Sequence, residues 1–415
     1  MPPKPTLPID VFPAWARFND VDFINAKLCE TDGKGIGLVT VTGSDLTKIP
    51  VTEGEVNDKD LQHGKAEALL RIPHDLVLSA STVEDYAKVD QNFRQLMDSV
   101  GHNSTRGNIL LYLLAHLVLS GRDASSPRGP ASTPWTEYLK FLPRDVPVPT
   151  MWSEVERALL QGTSLEAALG AKFASLSKEF EDLTDKSSVL PFWNSLFWEK
   201  GTVTIQDWIL VDAWYRSRCL ELPRGGDAMV PGLDMANHSY HPTAYYDEDD
   251  KDDVVLLVRP ETTVSAGEEV NISYGDKNPA EMLFSYGFID NESTVEGLNL
   301  PVKVLPDDPL GKAKLHIFGS SAYLKLSRSD GEVGRFEDLI KDHPLCQIFK
   351  LRVVSVLHEV VSDHLVELSS EISHDELEPL RRDGLVRDEC IQAAEKLRGV
   401  EAGVLESAAV ALDKQ

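Results

Sequence analysis

Strand-like and helix-like segments follow one another along this chain in long blocks, and that order constrains the fold more than any other feature. Strand patterns in the first eighty residues give way to helical periodicity, strand patterns return after Pro223, and helical periodicity resumes from about residue 310. A β region interrupted by a helical stretch normally closes in space around that interruption. We therefore predict an α+β fold with a β-rich core in two parts, a helical insert between them and a helical C-terminal domain, over residues 1–82, 83–214, 215–302 and 303–415.

Apolar spacing and turn formers predict individual elements within these blocks. Short apolar runs bounded by glycine or proline indicate strands at residues 35–41, 68–73, 243–246, 254–259 and 269–274. Apolar residues at helical spacing indicate helices over residues 108–120, 152–160, 164–180, 205–218, 346–368 and 383–412. Polar composition indicates loops at residues 43–65 and 121–134.

Residues 247–253, Asp-Glu-Asp-Asp-Lys-Asp-Asp, form a concentrated acidic run between two predicted strands. One interpretation is a docking patch for a basic partner, and the other is the solvated tip of a hairpin. We expect the hairpin tip, because charged residues between two strands ordinarily face water.

The chain carries a formal net charge of −26. Such a surface repels a phosphate backbone, so we expect no charge-driven binding to nucleic acid. One interpretation is that the acidic surface attracts basic proteins or tails, and the other is that it only keeps the protein in solution. The sequence leaves both interpretations open.

Nothing in the sequence indicates export or a membrane. No apolar run approaches the roughly 18–20 residues that a membrane span needs, and the start Met-Pro-Pro-Lys-Pro lacks the pattern of a secretory signal. The four cysteines lie far apart, without metal-ligand spacing or the pattern of a disulfide framework. We therefore expect no metal, and a reducing compartment, the cytoplasm or the nucleus.

Polar and aromatic residues that could carry chemistry gather in residues 230–289. Asn237 and His238 offer hydrogen-bond donors and acceptors side by side, and Tyr274 and Tyr286 each precede a glycine. Far earlier, Gly35-Ile36-Gly37 would let backbone approach a ligand closely. Each element alone is also typical of a turn or a core, so only their combination indicates a site.

In combination, these motifs resemble the SET-domain protein methyltransferases of the Rubisco large-subunit methyltransferase-like class, over about residues 15–302. The resemblance rests on Gly35-Ile36-Gly37-Leu38-Val39, Ser217-Arg218, Asp234-Met235-Ala236-Asn237-His238-Ser239, Gly267-Glu268-Glu269-Val270-Asn271-Ile272-Ser273-Tyr274-Gly275 and Tyr286-Gly287-Phe288-Ile289. The phrases at residues 135–143 and 152–165 resemble the helical insert of that class, and the helical tail loosely resembles its substrate-binding domain.

The resemblance implies an S-adenosylmethionine site and a narrow channel for the substrate side chain, with a threaded pseudoknot of strands between them. Matched position by position, the cofactor-binding residues would be Lys34, Gly35, Ile36, Arg218, Asp234, Met235, Ala236, Asn237, His238, Tyr274 and Phe288. The substrate channel would be lined by Ser217, Asp234, Ile272 and Tyr286. Tyr274 matches the catalytic tyrosine of the family.

The implied reaction is in-line methyl transfer to a protein side chain. Holding nitrogen, methyl carbon and sulfur in line contributes about 7–11 kcal/mol through proximity. A lysine with a pKa of about 10.4 must first lose its proton, which an apolar channel favours. We expect a monomeric protein-lysine methyltransferase that acts on a non-histone protein, for example one of the translation machinery. The alternatives are histidine methylation and a non-catalytic protein-binding SET module.

Overall fold

A computed structural model describes most of the chain. The described residues are 5–31, 33–45, 67–100, 104–121, 130–199, 201–260, 262–290, 297–301, 312, 316, 323–327, 344–369 and 374–414. The chain forms two compact units, one from residues 1–146 and 174–275 and the other from residues 147–173 and 276–415. This division crosses the four predicted segments, whose boundaries stay a prediction.

The first unit contains the β core. Its strands are β1 (Asp22–Phe23), β2 (Ala26–Thr31), β3 (Gly35–Thr40), β4 (Ser44–Asp45), β5 (Ala68–Ile72), β6 (Leu78–Ser79), β7 (Cys219–Leu222), β8 (Gly226–Met229), β9 (Asn237–His238), β10 (Ala244–Glu248), β11 (Val254–Val258), β12 (Thr263–Val264) and β13 (Glu269–Ile272). They pair in the orders β1-β5-β11-β10, β2-β3-β13-β9, β6-β8-β7 and β12-β4. Strands from both predicted β segments share sheets, which confirms that the two parts meet in space.

The helices of the first unit lie mostly in the predicted insert, but Phe12–Phe18 lies in the predicted β segment 1–82. They are Phe12–Phe18, Ala80–Val89, Gln91–Val100, Thr105–Ser120, Pro134–Tyr138, Pro191–Trp193, Ile205–Arg218 and the greater part of Leu165–Ser188. The helix Thr105–Ser120 is buried along most of its length, as its continuous apolar run predicts. Ile205–Arg218 has the predicted bounds, because a capping box of Thr204 and Asp207 starts it and an extended Cys219 ends it.

The second unit is mainly helical and contains Glu154–Ala158, Pro279–Tyr286, Cys346–Leu368, His374–Arg382 and Asp388–Leu412. One apolar cluster packs the helices Pro279–Tyr286 and Asp388–Leu412 against Leu159 and Leu160, which directly follow the helix Glu154–Ala158. A second cluster packs β14 (Gly297–Pro301) against the two long helices. β14 pairs with β15 (Tyr323–Ser327), so the expectation of purely helical structure after residue 310 is wrong there.

The predicted loops are only partly described. Ser44 and Asp45, within the predicted loop 43–65, pair with β12 as a short strand, while residues 46–66 lie outside the described residues. Pro134 begins a helix rather than ending a loop, and residues 122–129 lie outside the described part. No helix among the described residues is long and apolar enough to cross a membrane.

The acidic run at residues 247–253 is more than a solvated hairpin tip. Glu248 and Asp249 are only 5% and 1% exposed. One oxygen of the Asp249 carboxylate accepts hydrogen bonds from the backbone of Lys251 (2.9 Å) and Asp253 (3.1 Å), and the other pairs with Arg71 at 3.0 Å. The turn is thus stabilised from inside by its own carboxylate, and only the rest of the run faces water.

Candidate active site

A three-strand arrangement brings the separate sequence motifs together in the first unit. β13 pairs antiparallel with β3, which carries Gly35-Ile36-Gly37, and parallel with β9, which is Asn237-His238. In the parallel pair, Asn271 lies opposite Asn237 and Ile272 opposite His238. The strand that leads to Tyr274 therefore runs between the glycine motif and the Asn-His motif, which are about two hundred residues apart in sequence.

Tyr274 is held at both ends. Its hydroxyl donates a hydrogen bond to the Ala236 carbonyl at 2.7 Å, and its backbone N–H donates to Nδ1 of His238 at 3.0 Å. The His238 and Tyr274 rings lie 5.2 Å apart. Because the Tyr274 hydroxyl donates its proton to the Ala236 carbonyl, the hydroxyl oxygen can act towards a further group only as a hydrogen-bond acceptor. The arrangement can orient an N–H or a polarised C–H group.

Asn237 is fixed by its side-chain amide. Its nitrogen donates to a carboxylate oxygen of Glu269 at 2.7 Å and to the Thr31 hydroxyl at 3.3 Å. A Cβ on Gly37 would lie 2.7 Å from the same nitrogen. The second glycine of the motif is therefore required by the close approach of Asn237, a reason that the sequence alone did not show.

The glycine turn, residues 33–37, leads into β3. Gly33 and Gly35 have φ values of +71° and +77°, and a Cβ on either would meet no atom within 4 Å. The Thr31 hydroxyl donates to the Gly35 carbonyl at 2.9 Å, and the Lys34 ammonium pairs with Glu269 at 3.0 Å. The glycines thus serve backbone conformation here, with open space beside them.

Comparison with known proteins identifies this arrangement. No protein-family model matches the chain. A solved structure described as the SET domain of LSMT bound to methyllysine and AdoHcy superposes with a TM-score of 0.70 at 20% identity, covering 99% of this chain and 92% of that one. The chain has the SET fold.

Two sequence relatives agree with the SET assignment. SET domain-containing protein 8 of Schizosaccharomyces pombe is 29% identical over 243 residues, 58% of this chain and 52% of that protein. A chloroplastic [fructose-bisphosphate aldolase]-lysine N-methyltransferase of Arabidopsis thaliana is 29% identical over 213 residues, 49% of this chain and 42% of that protein. The matched stretches span about half of these relatives. Over about half of its length, the chain is thus similar in sequence to a SET-domain protein and to a protein-lysine methyltransferase.

The Asp234 carboxylate forms hydrogen bonds and an ion pair within the SET core. One oxygen accepts hydrogen bonds from the Gly232 backbone at 3.1 Å and from the Tyr138 hydroxyl, and the other pairs with Arg218 at 3.3 Å. The same Arg218 nitrogen donates to the Asp234 carbonyl at 3.0 Å. Burial raises the pKa of the Asp234 carboxyl, and the Arg218 guanidinium opposes that shift. The carboxylate fixes the turn and Arg218, while the cofactor and substrate roles of Asp234 stay predictions.

Tyr138 is a site-supporting residue that sequence reasoning missed. It is fully buried, and burial together with the Asp234 carboxylate raises its pKa well above the usual value, so its hydroxyl keeps its proton. It also accepts a hydrogen bond from the Gly232 backbone at 3.2 Å. The aromatic phrase at residues 135–143 marked the segment, but no spacing rule connects Tyr138 with Asp234, 96 positions later. Thr31 and Glu269, the partners of Asn237, were likewise given no role.

The remaining predicted residues of the first unit are mostly packed side chains. Met235, Ala236 and Ile272 are 7%, 1% and 1% exposed. The Ser217 hydroxyl donates to the Ala213 carbonyl at 2.8 Å, one helical turn earlier. Ile36 pairs with Glu30 in the β2–β3 ladder, so its backbone is already ordered. Their predicted ligand contacts stay predictions.

Tyr286 and Phe288 belong to the second unit, around a helix end. Gly287 between them has a φ of +85° and caps the helix Pro279–Tyr286, with its N–H donating to the Leu283 carbonyl at 3.0 Å. A Cβ there would lie 2.5 Å from the Pro147 backbone. The Tyr-Gly-Phe motif therefore has a structural reason of its own, and the ligand roles of Tyr286 and Phe288 stay predictions.

No group of three His, Cys, Asp or Glu side chains among the described residues could hold a metal ion.

Proposed function

We propose that this chain is an S-adenosylmethionine-dependent protein-lysine N-methyltransferase that acts on a non-histone protein. The observation that carries the proposal is the placement of Tyr274 in a SET fold. Its hydroxyl is tied to the Ala236 carbonyl at 2.7 Å, directly before the Asn237-His238 strand. A tyrosine hydroxyl that is fixed beside two polar motifs can orient a reacting group.

The site fits the amino-acid part of the cofactor. That part presents a carboxylate and an ammonium group, which need a cation and hydrogen-bond acceptors. Nε of Arg218 is buried and hydrogen-bonds to none of the described residues. The Asn237 amide nitrogen donates to Glu269 and Thr31, which directs the amide oxygen elsewhere. Space beside the turn at Gly33 and Gly35 is open. When bound, S-adenosylmethionine supplies an activated methyl group on a sulfonium centre.

The chain's own residues would orient the acceptor amine. The Tyr274 oxygen, with its proton committed to Ala236, can accept a hydrogen bond from a neutral lysine nitrogen and set its direction. Buried apolar neighbours such as Ile272 disfavour the ammonium form and thereby lower the lysine pKa.

The relatives include enzymes named for lysine and for histidine methylation. We propose lysine because the superposed structure is described with methyllysine. The proposed substrate is a basic or lysine-bearing protein, for example one of the translation machinery, since the net charge of −26 attracts basic chains. The proposal includes a monomer in the cytoplasm or nucleus, with neither nucleic acid nor membrane as partner.

The function is tested by methyl transfer from radiolabelled S-adenosylmethionine into lysate of cells that lack the protein, followed by mass spectrometry of labelled bands. We expect label on lysine of one or a few proteins. Label on histidine supports the histidine alternative. Label on no protein, while calorimetry shows that the cofactor binds, favours the non-catalytic module.

Tyr274→Phe tests the assigned role. Loss of the hydroxyl removes the acceptor, so we expect the methylation rate to fall at least about a hundredfold, within the usual range for positioned acid–base groups, while the cofactor still binds. Tyr246→Phe is the matched control, because its hydroxyl also donates to a backbone carbonyl, that of Glu221 at 3.3 Å. Full activity of Tyr274→Phe contradicts the assignment.

A further inference from the structure

Glu269 joins the two halves of the candidate site. One oxygen of its carboxylate lies 2.7 Å from the Asn237 amide nitrogen, and the other lies 3.0 Å from the Lys34 ammonium. Lys34 and Glu269 are 235 positions apart, and each belongs to a different predicted β segment. A single side chain therefore contacts both the glycine turn and the Asn-His strand.

This contact decides which way the Asn237 amide points. Its nitrogen has two protons, and the two hydrogen bonds to Glu269 and Thr31 use both. The flipped amide would place its oxygen against the Glu269 carboxylate, where two acceptors repel. The Asn237 oxygen is therefore held on the side away from Glu269 as an available acceptor.

The Lys34 ion pair acts on a turn that is held by hydrogen bonds, with the Lys34 backbone N–H donating to the Thr31 carbonyl at 3.2 Å. A Cβ on Gly33 or Gly35 would meet no atom within 4 Å, so the two glycines are not packed against neighbouring atoms on that side. Lys34 lies between them. Its pairing with Glu269, which is 21% exposed against 49% for the lysine side chain, ties the turn to a strand that is paired on both sides.

We propose that Lys34 and Glu269 form a latch that pre-orders the cofactor site, with Glu269 as a positioning residue for Asn237 and for the glycine turn. The inference rests on the proposed function, because it concerns the affinity for S-adenosylmethionine. A site ordered before binding loses less conformational freedom when the ligand arrives, so the latch raises affinity without touching the reacting atoms.

The charge of the cofactor distinguishes the latch from a purely electrostatic effect of Lys34. S-adenosylmethionine carries a net positive charge, and S-adenosylhomocysteine, which lacks the sulfonium, is neutral overall. If Lys34 acted only through its electric field, Lys34→Met would tighten binding of the cation and leave the neutral product unchanged. The latch gives the opposite sign, with both ligands bound more weakly.

Affinity for both ligands is measured by calorimetry on the full chain. We expect Lys34→Met to bind both ligands about threefold more weakly than wild type at low salt, as for the loss of a partly exposed ion pair. In 1 M salt, screening removes the ion pair of the wild-type protein, so the affinities of variant and wild type should converge. Glu269→Gln loses a charge-assisted hydrogen bond as well, so we expect about tenfold weaker binding. Lys27→Met and Glu30→Gln, exposed neighbours on β2, remove the same charges and should bind as wild type does.

Kinetics and exchange separate positioning from general structural support. The KM for S-adenosylmethionine should rise in Lys34→Met and Glu269→Gln while kcat at saturation changes less than about twofold. Amide exchange at residues 33–37 without ligand should accelerate in both variants. In the double variant, the Lys34 substitution should add almost nothing to Glu269→Gln, since the pair is already broken.

Several results overturn the latch while leaving the proposed function in place. Tighter binding of the cationic ligand by Lys34→Met, additive effects in the double variant, or equal affinity of Lys34→Met and Lys27→Met would each do so. If Glu269→Gln does not fold, the half-exposed Lys34 carries the test by itself. Failure of the wild-type protein to bind either ligand overturns the proposed function instead.

Discussion

The candidate site in the first unit and a helix junction in the second unit are built from the same kinds of residue. They differ in how far their polar groups and glycines are already engaged by neighbouring residues. The helix junction consists of Gly162, Ser164, Arg398 and Glu401. Arg398 donates to the carbonyls of Leu368 (2.7 Å), Leu159 (3.0 Å) and Gln161, and the Glu401 carboxylate accepts from the backbone and hydroxyl of Ser164. A Cβ on Gly162 would lie 2.5 Å from a backbone carbonyl.

In the first unit the corresponding groups are only partly used. Gly33 and Gly35 face open space, and the buried Arg218 Nε hydrogen-bonds to none of the described residues. Buried polar groups are ordinarily satisfied within the fold, as they are at the helix junction. The difference indicates that the helix junction serves stability and that the candidate site has capacity for a ligand.

The largest expected effect is on stability at the helix junction. Gly162 has a φ of +75° and no room for a Cβ. Gly162→Ala therefore combines backbone strain with a clash against main chain, and we expect a loss of about 3 kcal/mol in the free energy of unfolding. Gly384→Ala, at a φ of +68° with nothing within 4 Å, is the control in the same unit and should lose about 1 kcal/mol. If urea unfolding gave equal losses of stability for Gly162→Ala and Gly384→Ala, the expected clash at position 162 would be absent.

A smaller effect concerns the pH dependence of the second unit. Burial alone would raise the pKa of Glu156, but its hydrogen bonds to Arg387 and Ser153 outweigh burial and lower the pKa from 4.5 to about 2. Because the folded pKa is below the unfolded one, this stabilisation is present above pH 4.5 and is lost as the pH falls towards 2. Wild type should lose about 2 kcal/mol across that window after discounting for the partly exposed Arg387.

Glu156→Gln tests that assignment. Its acid unfolding curve should be flatter than that of wild type between pH 4.5 and 2, with lower stability at neutral pH. Amide exchange in peptides around Ser153 and Arg387 locates the effect in the second unit. An unchanged acid profile would mean that the ion pair with Arg387 contributes nothing to the linkage.

The smallest expected effect is on stability at the candidate site. Gly35→Ala meets no neighbouring atom, so only the left-handed backbone conformation is penalised, by about 1 kcal/mol. Affinity for S-adenosylmethionine should fall nevertheless, because the altered turn no longer presents the same backbone. Urea unfolding and calorimetry on one preparation provide both values. A stability loss as large as that of Gly162→Ala would remove the contrast between the two regions.

Sequence patterns predicted the long helices and the sharing of sheets by two distant β segments. Cys346–Leu368 and Ile205–Arg218 have the predicted bounds, since each is a long periodic run between clear breaks. The predicted helix 383–412 begins only at Asp388, because Gly384 adopts a φ of +68°. The β15 strand was missed because a five-residue alternating run is too short to stand out among helical patterns.

The sequence by itself determined which residues could act together, because Asn237-His238, Tyr274 and Gly35-Ile36-Gly37 are recognisable as local motifs. Only the tertiary structure decided how they act. It placed the Tyr274 hydroxyl on Ala236, turned the Asp234 carboxylate inward to Tyr138, and joined Lys34 to Asn237 through Glu269. These contacts span from 32 to 235 positions along the chain. A hydrogen bond depends on distance and angle in space, which spacing along the sequence does not specify.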